Sequence, residues 1–116
     1  MLPKQYRLKK RSAFKATYKV KNSSHTGGVT LFAGILKKED YPTKVGFVVS
    51  KKVHKRAVRR NRLKRLMRES YRLLLKDGSL GNSQKYMSLI FVGTENALDK
   101  SFDEIQKSIK KLVERI

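Results

Sequence analysis

The stretch Lys44–Lys76, KVGFVVSKKVHKRAVRRNRLKRLMRESYRLLLK, changes its hydrophobic period part-way along, and the rest of the chain is read outward from it. In Lys44–Ser50, Val45, Phe47 and Val49 alternate with Gly46 and Val48, the period of a β-strand. From about Ala57 the period becomes helical. Leu63, Leu66, Met67, Ser70, Tyr71 and Leu74 recur at offsets 0, 3, 4, 7, 8 and 11 and form one stripe. Asn61, Arg65, Arg68 and Arg72 fall on the opposite side, so the helix has an apolar and a cationic face. Asp77 and Gly78 end it, the glycine serving as a C-terminal breaker.

Upstream, Ala13, Phe14, Ala16, Thr17, Tyr18 and Val20 lie at helical spacing behind Ser12, a candidate N-cap, and predict a short helix over residues 12–21. Asn22–Gly28 reads as a loop. Val29, Leu31, Ala33 and Ile35 alternate with Thr30, Phe32, Gly34 and Leu36 as a strand, and Lys37–Pro42 reads as a hairpin connection that pairs it antiparallel with Lys44–Ser50. Downstream, Gly81–Lys85 reads as loop and the nearly all-apolar Tyr86–Val92 as a central strand covered on both faces. Ser101 and Glu104 form a capping box ahead of Phe102, Ile105, Ile109, Leu112, Val113 and Ile116 on one helical face. The order is helix, two or more strands, helix, strand, helix: an α+β or split βαβ sandwich. With 116 residues, 39% of them apolar, one domain is expected over residues 1–116, its first 11 or so a basic, flexible arm.

The charge is concentrated. Lys and Arg number 29 against nine Asp and Glu, a net of +20. Residues 1–68 carry 21 basic residues and only Glu39 and Asp40, whereas residues 69–116 carry eight basic and seven acidic ones. Lys51–Arg68 has ten basic residues in eighteen and no acid. A solvated helix face usually mixes both signs, so this segment points to a polyanion with closely spaced charges, RNA or DNA. An anionic membrane would call for a broad apolar face of Trp, Phe and Leu, but the strand and helix patterns that follow this segment need its apolar residues for a core, and no stretch is long and apolar enough to span a membrane. A helix-turn-helix DNA binder would be mainly helical, and strands flank this helix. The absence of cysteine suits a reducing compartment, and the chain reads as cytosolic.

Catalytic patterns are missing. Metal-dependent phosphodiester hydrolysis needs converging carboxylates, but seven of the nine acids lie in the last 48 residues, and Asp103 and Glu104 suit the first turn of a helix. His25 and His54 lie in separate segments, with nothing to bring them together as an acid–base pair. The residues describe a binder. Arg60, Arg62, Lys64, Arg65 and Arg68 can hold phosphate oxygens, and Asn61 adds a donor and an acceptor.

The run Ser50-Lys51-Lys52, then Arg60-Asn61-Arg62-Leu63-Lys64-Arg65-Leu66-Met67-Arg68-Glu69, resembles the signature "RNR" helix of the bacterial ribonuclease P protein family. Arg7-Leu8-Lys9 before an aromatic helix and Val45–Lys52 leading into the basic loop extend the likeness over nearly the whole chain. The resemblance implies a protein subunit that assists a catalytic RNA, with its Mg²⁺, in removing the 5′ leader of precursor tRNA. The implied partners are that RNA and precursor tRNA, with no further protein required, no membrane, and neither metal nor cofactor held by this chain. Carried over by position, Lys51, Lys52, Arg60, Asn61, Arg62, Lys64, Arg65 and Arg68 would meet the RNA subunit, and Phe14, Tyr18 and Phe32 the leader. An aromatic pair on one helix face with a strand aromatic opposite also suits base stacking, although the residues alone leave plain core packing equally open. The resemblance further implies a left-handed βαβ crossover, against the usual handedness. The alternative is a ribosomal or other structural RNA binder with no processing role.

Overall fold

In the computed structural model, which describes residues 2–116, the sheet is organised around its last strand. β1 (Asn22–Thr26), β2 (Val29–Ala33), β3 (Lys44–Val48) and β4 (Ser88–Gly93) lie in the spatial order β1-β2-β4-β3. β4 pairs antiparallel with β2 and parallel with β3. Leu89, Ile90 and Phe91 are wholly buried, as the apolar run predicts for a central strand.

The parallel β3–β4 pair is joined through α2 (Ala57–Asp77), which crosses the sheet together with α3 (Phe102–Arg115). Leu63, Met67 and Tyr71 of α2 and Ile105, Ile109 and Leu112 of α3 meet Leu31, Leu89 and Phe91 in a core from which solvent is excluded. The predicted ends hold: Gly78 takes the left-handed conformation (φ 70°) after α2, and Ser101 and Glu104 close their capping box at the start of α3. α1 (Arg11–Lys19) packs on the other side of the sheet, over β2 and β4. Its contact with β3 depends on Gly46, where a Cβ would stand 2.6 Å from the Phe14 ring.

Five local expectations are corrected. β2 and β3 do not form a hairpin: β4 lies between them, because the most apolar strand gains most by taking the centre. The connection through Lys37–Pro42 instead passes the end of β4, held by Gly34 N–H to Ser88 O (2.8 Å) and Met87 N–H to Ile35 O (2.8 Å). Asn22–Thr26 is a strand, not a loop. Gly27 and Gly28, at φ 59° and 82°, make the tight turn that pairs Thr26 with Val29. Ser12 is not the N-cap: α1 starts at Arg11 after Lys10, with no side-chain cap bond. Gly81–Lys85 is a short 3₁₀ helix. The N-terminal residues, expected as an arm, pack instead: Leu2 is buried in the core, and Arg7 bridges to Val45 on the edge of β3.

Tyr71 gives the core a signature. It stacks edge-on against Phe91 and Phe47, accepts a hydrogen bond from Gln84 Nε2 (3.0 Å), and burial pushes its phenol up to about 12. The neutral phenol is favoured in the fold, so its contribution is fully present below about pH 10 and is lost as pH rises through about 12. Alkaline unfolding should therefore be less steep in Tyr71→Phe than in the parent between pH 10 and 12. Denaturant titrations across that window read the difference, expected at roughly 1–3 kcal/mol.

Candidate nucleic-acid interface

The cationic side of α2 forms the first half of the site. Asn61, Lys64, Arg65 and Arg68, with Val58 and Arg62, line a shallow hollow of about 580 Å³. Helical spacing brings these groups together, since residues three and four apart share a face. Lys64, Arg65 and Arg68 make no ion pair among the described residues, so their charge faces solvent uncompensated. Lys51 and Lys52 lie exposed in the turn after β3, closed by Val53 N–H to Ser50 O (3.1 Å).

The other arginines of the segment are already engaged. Arg60 donates from Nη1 to the carbonyls of His54 and Lys55, both at 2.8 Å, and so braces the loop that enters α2. Arg62 donates to Leu98 O (3.0 Å) and Lys100 O (3.3 Å), tying α2 to the β4–α3 connection. Arg59 pairs with Asp99 and Arg72 with Glu69. The Arg72 guanidinium holds the Glu69 carboxyl below its ordinary range. Arg72, which the helical wheel places on the cationic face, is thereby neutralised.

The second half lies across the sheet beneath α1. In register, Ser23, Phe32, Ile90 and Gly46 form one row, and His25, Thr30, Val92 and Val48 the next. α1 covers part of the first row. Phe14 sits over Gly46, and Tyr18 meets Phe32 edge-to-face with ring centroids 4.9 Å apart. Partial burial raises the Tyr18 phenol, yet 37% of the residue remains exposed. Phe14 and Phe32 are half-buried. These rings are apart from the aromatic core of Phe47, Tyr71 and Phe91, so core packing does not account for them in full. The second row adds half-buried Thr30, Val48 and Val92, with His25 at the edge joined to Thr30 through Nδ1–Oγ1 (2.6 Å). Sequence reading missed this row because it depends on β4 being the shared neighbour; the Gly27-Gly28 pair was the one local signal for β1.

The two halves meet at Arg68, which lines both the α2 hollow and a smaller one of about 190 Å³ with Arg7, Lys9 and Phe14. Among the described residues no three His, Cys, Asp or Glu side chains gather where a metal could be held, and His25 and His54 remain on separate elements. The geometry supplies cations and aromatic surface for a nucleic acid.

The profile of the family described as Ribonuclease P matches residues 2–116. The chain belongs to the ribonuclease P protein family. It is 37% identical over 108 residues to the ribonuclease P protein component of Clostridioides difficile, covering 93% of this chain and 89% of that one. To the component from Synechococcus sp. it is 34% identical over 120 residues, covering 99% and 84%. The ribonuclease P protein of Staphylococcus aureus superposes with a TM-score of 0.78 at 27% identity, over 97% of this chain and 95% of that one. That of Thermotoga maritima has the same fold, with a TM-score of 0.77 at 24% identity. The expected ribonuclease P fold, a single α+β domain with three helices and a mixed four-stranded sheet, is thus the one observed.

The two neighbours Arg62 and Arg65 should behave differently. Arg62→Ala removes two hydrogen bonds to backbone carbonyls and is expected to cost about 1–3 kcal/mol of stability. Arg65→Ala, at an exposed position with no ion-pair partner among the described residues, should leave the thermal midpoint nearly unchanged. Calorimetric melts of both variants make the comparison.

Proposed function

We propose that this chain, as the protein component of ribonuclease P, holds two RNAs at once. The α2 face, with Asn61, Lys64, Arg65 and Arg68 in contact and Lys51 and Lys52 beside it, binds the RNA subunit. The sheet face beside α1, through Phe14, Tyr18 and Phe32, receives the single-stranded 5′ leader of precursor tRNA. Cytoplasmic RNA is the substrate pool, and the RNA subunit with its Mg²⁺ carries out the hydrolysis. The observation that supports this most is the adjacency of an uncompensated cationic helix face and a half-exposed aromatic sheet face, joined at Arg68. Phosphates confer affinity on the first, and unpaired bases can stack on the second. Arg60 and Arg62 take part chiefly by fixing the loop and the helix that present the other groups.

Binding to the RNA subunit should lose about one unit of log–log salt slope for each phosphate contact removed by Lys64→Ala, Arg65→Ala or Arg68→Ala. An unchanged slope in the triple variant would detach this face from the RNA.

Phe32→Ala and Tyr18→Ala should weaken binding of leader-bearing precursor tRNA to the reconstituted enzyme by roughly 1–3 kcal/mol while barely affecting mature tRNA. Equal losses on both RNAs, together with a large drop in melting temperature, would assign the rings to packing. Phe14→Ala is the poorer probe, since its ring also fills the space above Gly46.

A further inference from the structure

The excess of positive charge is interrupted at one place. Glu95–Glu104 holds four of the nine acids, Glu95, Asp99, Asp103 and Glu104, against one base, Lys100, a net of −3 in a chain whose other residues sum to +23. The four acidic residues are exposed, whereas Lys100 Nζ donates to the Gly27 carbonyl (2.9 Å). Three of these acids have local reasons for their places. Glu95 opens a 3₁₀ turn, and Asp103 and Glu104 occupy the first turn of α3, where the helix dipole favours them. Asp99 has no such reason. It lies between the turn and α3, 89% of its side chain is exposed, and it reaches across to Arg59 of α2. An exposed ion pair of this kind adds little to stability.

The pair lies on one rim of the α2 hollow. Arg62, three residues on from Arg59 and so on the same flank, is tied to Leu98 O and Lys100 O, which seats the acidic segment along that flank. Glu69, seven residues past Arg62, continues the flank and holds Arg72. Both ion pairs among the described residues therefore withdraw an arginine of α2. The opposite rim differs. There Arg68 opens onto Arg7 and Lys9 and, through the adjoining groove, onto Lys4, Lys10 and Lys44, with no acid in either lining. The hollow is thus cationic at its centre, cationic without a break towards α1, and bounded by carboxylates towards α3.

We propose that Asp99 is a specificity-determining residue for the RNA subunit: backed by the acidic segment, it withholds Arg59 from phosphate and confines a bound backbone to the hollow and the Arg68 rim. The inference rests on the α2 face as the RNA-subunit site, and adds how that site rejects other RNAs. A surface of this charge attracts any polyanion, so attraction alone selects nothing. Carboxylates along one rim make the attraction directional. An RNA whose backbone leaves the hollow towards α1 meets cations throughout. One whose backbone leaves towards α3 must break the Arg59–Asp99 pair and pass the carboxylates of residues 95–104. Discrimination then comes from the repulsive element, at little cost to the cognate complex.

The test measures binding of the full chain to its RNA subunit and to a short RNA duplex of unrelated sequence, over a range of salt. In Asp99→Asn, duplex binding should tighten about fivefold and its log–log salt slope should steepen by about one, the mark of one further phosphate contact, made by the freed Arg59. Binding of the RNA subunit should change far less, so the ratio of the two affinities falls. Asp99→Glu, which keeps the charge, should bind both RNAs as the parent does. In Arg59→Gln/Asp99→Asn the duplex slope should return to that of the parent. Glu114→Gln removes the same charge near the other end of α3 and should leave both affinities close to the parent's. Unchanged duplex binding in Asp99→Asn, an equal gain on both RNAs, or the same gain in Glu114→Gln overturns the proposal, the last by making net charge alone responsible. Replacing Lys64, Arg65 and Arg68 together by alanine separates the two readings: it should weaken binding of the RNA subunit, and if it does not, the assignment of the α2 face fails instead. Thermal melts of Asp99→Asn should match the parent, because the pair is exposed.

Discussion

Burial of β4 on both faces and along both edges is the constraint from which the rest of the arrangement follows. Leu89, Ile90 and Phe91 have no access to solvent, and their backbone groups are shared between an antiparallel and a parallel neighbour. A parallel neighbour cannot be reached by a tight turn, so the chain between β3 and β4 must cross the sheet, and α2 is that crossing. Its apolar stripe is fixed against the core by Leu63, Met67 and Tyr71, which turns the opposite, cationic side outward without further instruction. The binding face is thus a by-product of how the central strand is covered.

Wherever one helix or strand could be judged by its own periodicity, the sequence was a good guide. The stripe of α2, the glycine that ends it, the capping box of α3 and the apolar run of β4 are all local patterns, and each appears where its residues place it. What could not be read locally was pairing. Lys44–Val48 has the period of a strand but carries nothing to say that its neighbour lies more than forty residues downstream, and proximity in sequence favoured a hairpin with β2. Asn22–Thr26 is polar on both faces because it is an edge strand, and polarity resembled a loop. The cationic segment was legible as a whole, yet the division of labour within it was not. Whether an arginine meets a carbonyl of its own chain, as Arg60 and Arg62 do, depends on loops packed against the helix.

That division bears on how so much charge is tolerated. Self-repulsion opposes a compact state with a net charge of +20. Several cations relieve it by serving as internal donors: Arg62 and Lys100 close the β4–α3 connection on α2 and on the Gly27 turn, and Arg115 reaches His25 O (3.1 Å). On the outer side of α2, Lys64, Arg65 and Arg68 have no such partner among the described residues, and there an anion can replace the missing counter-charge.

The late position of β4 also sets an order of events during synthesis. A ribosome delivers the chain from its N-terminus, and until Gly93 has emerged only the β1–β2 hairpin of the sheet can pair. By then every residue up to Arg68, with nineteen positive charges in excess, has been in solution without a closed core beneath it. The nascent chain therefore spends its vulnerable interval as a polycation amid cellular RNA, and those polyanions are the first partners available to shield it while it waits for its central strand.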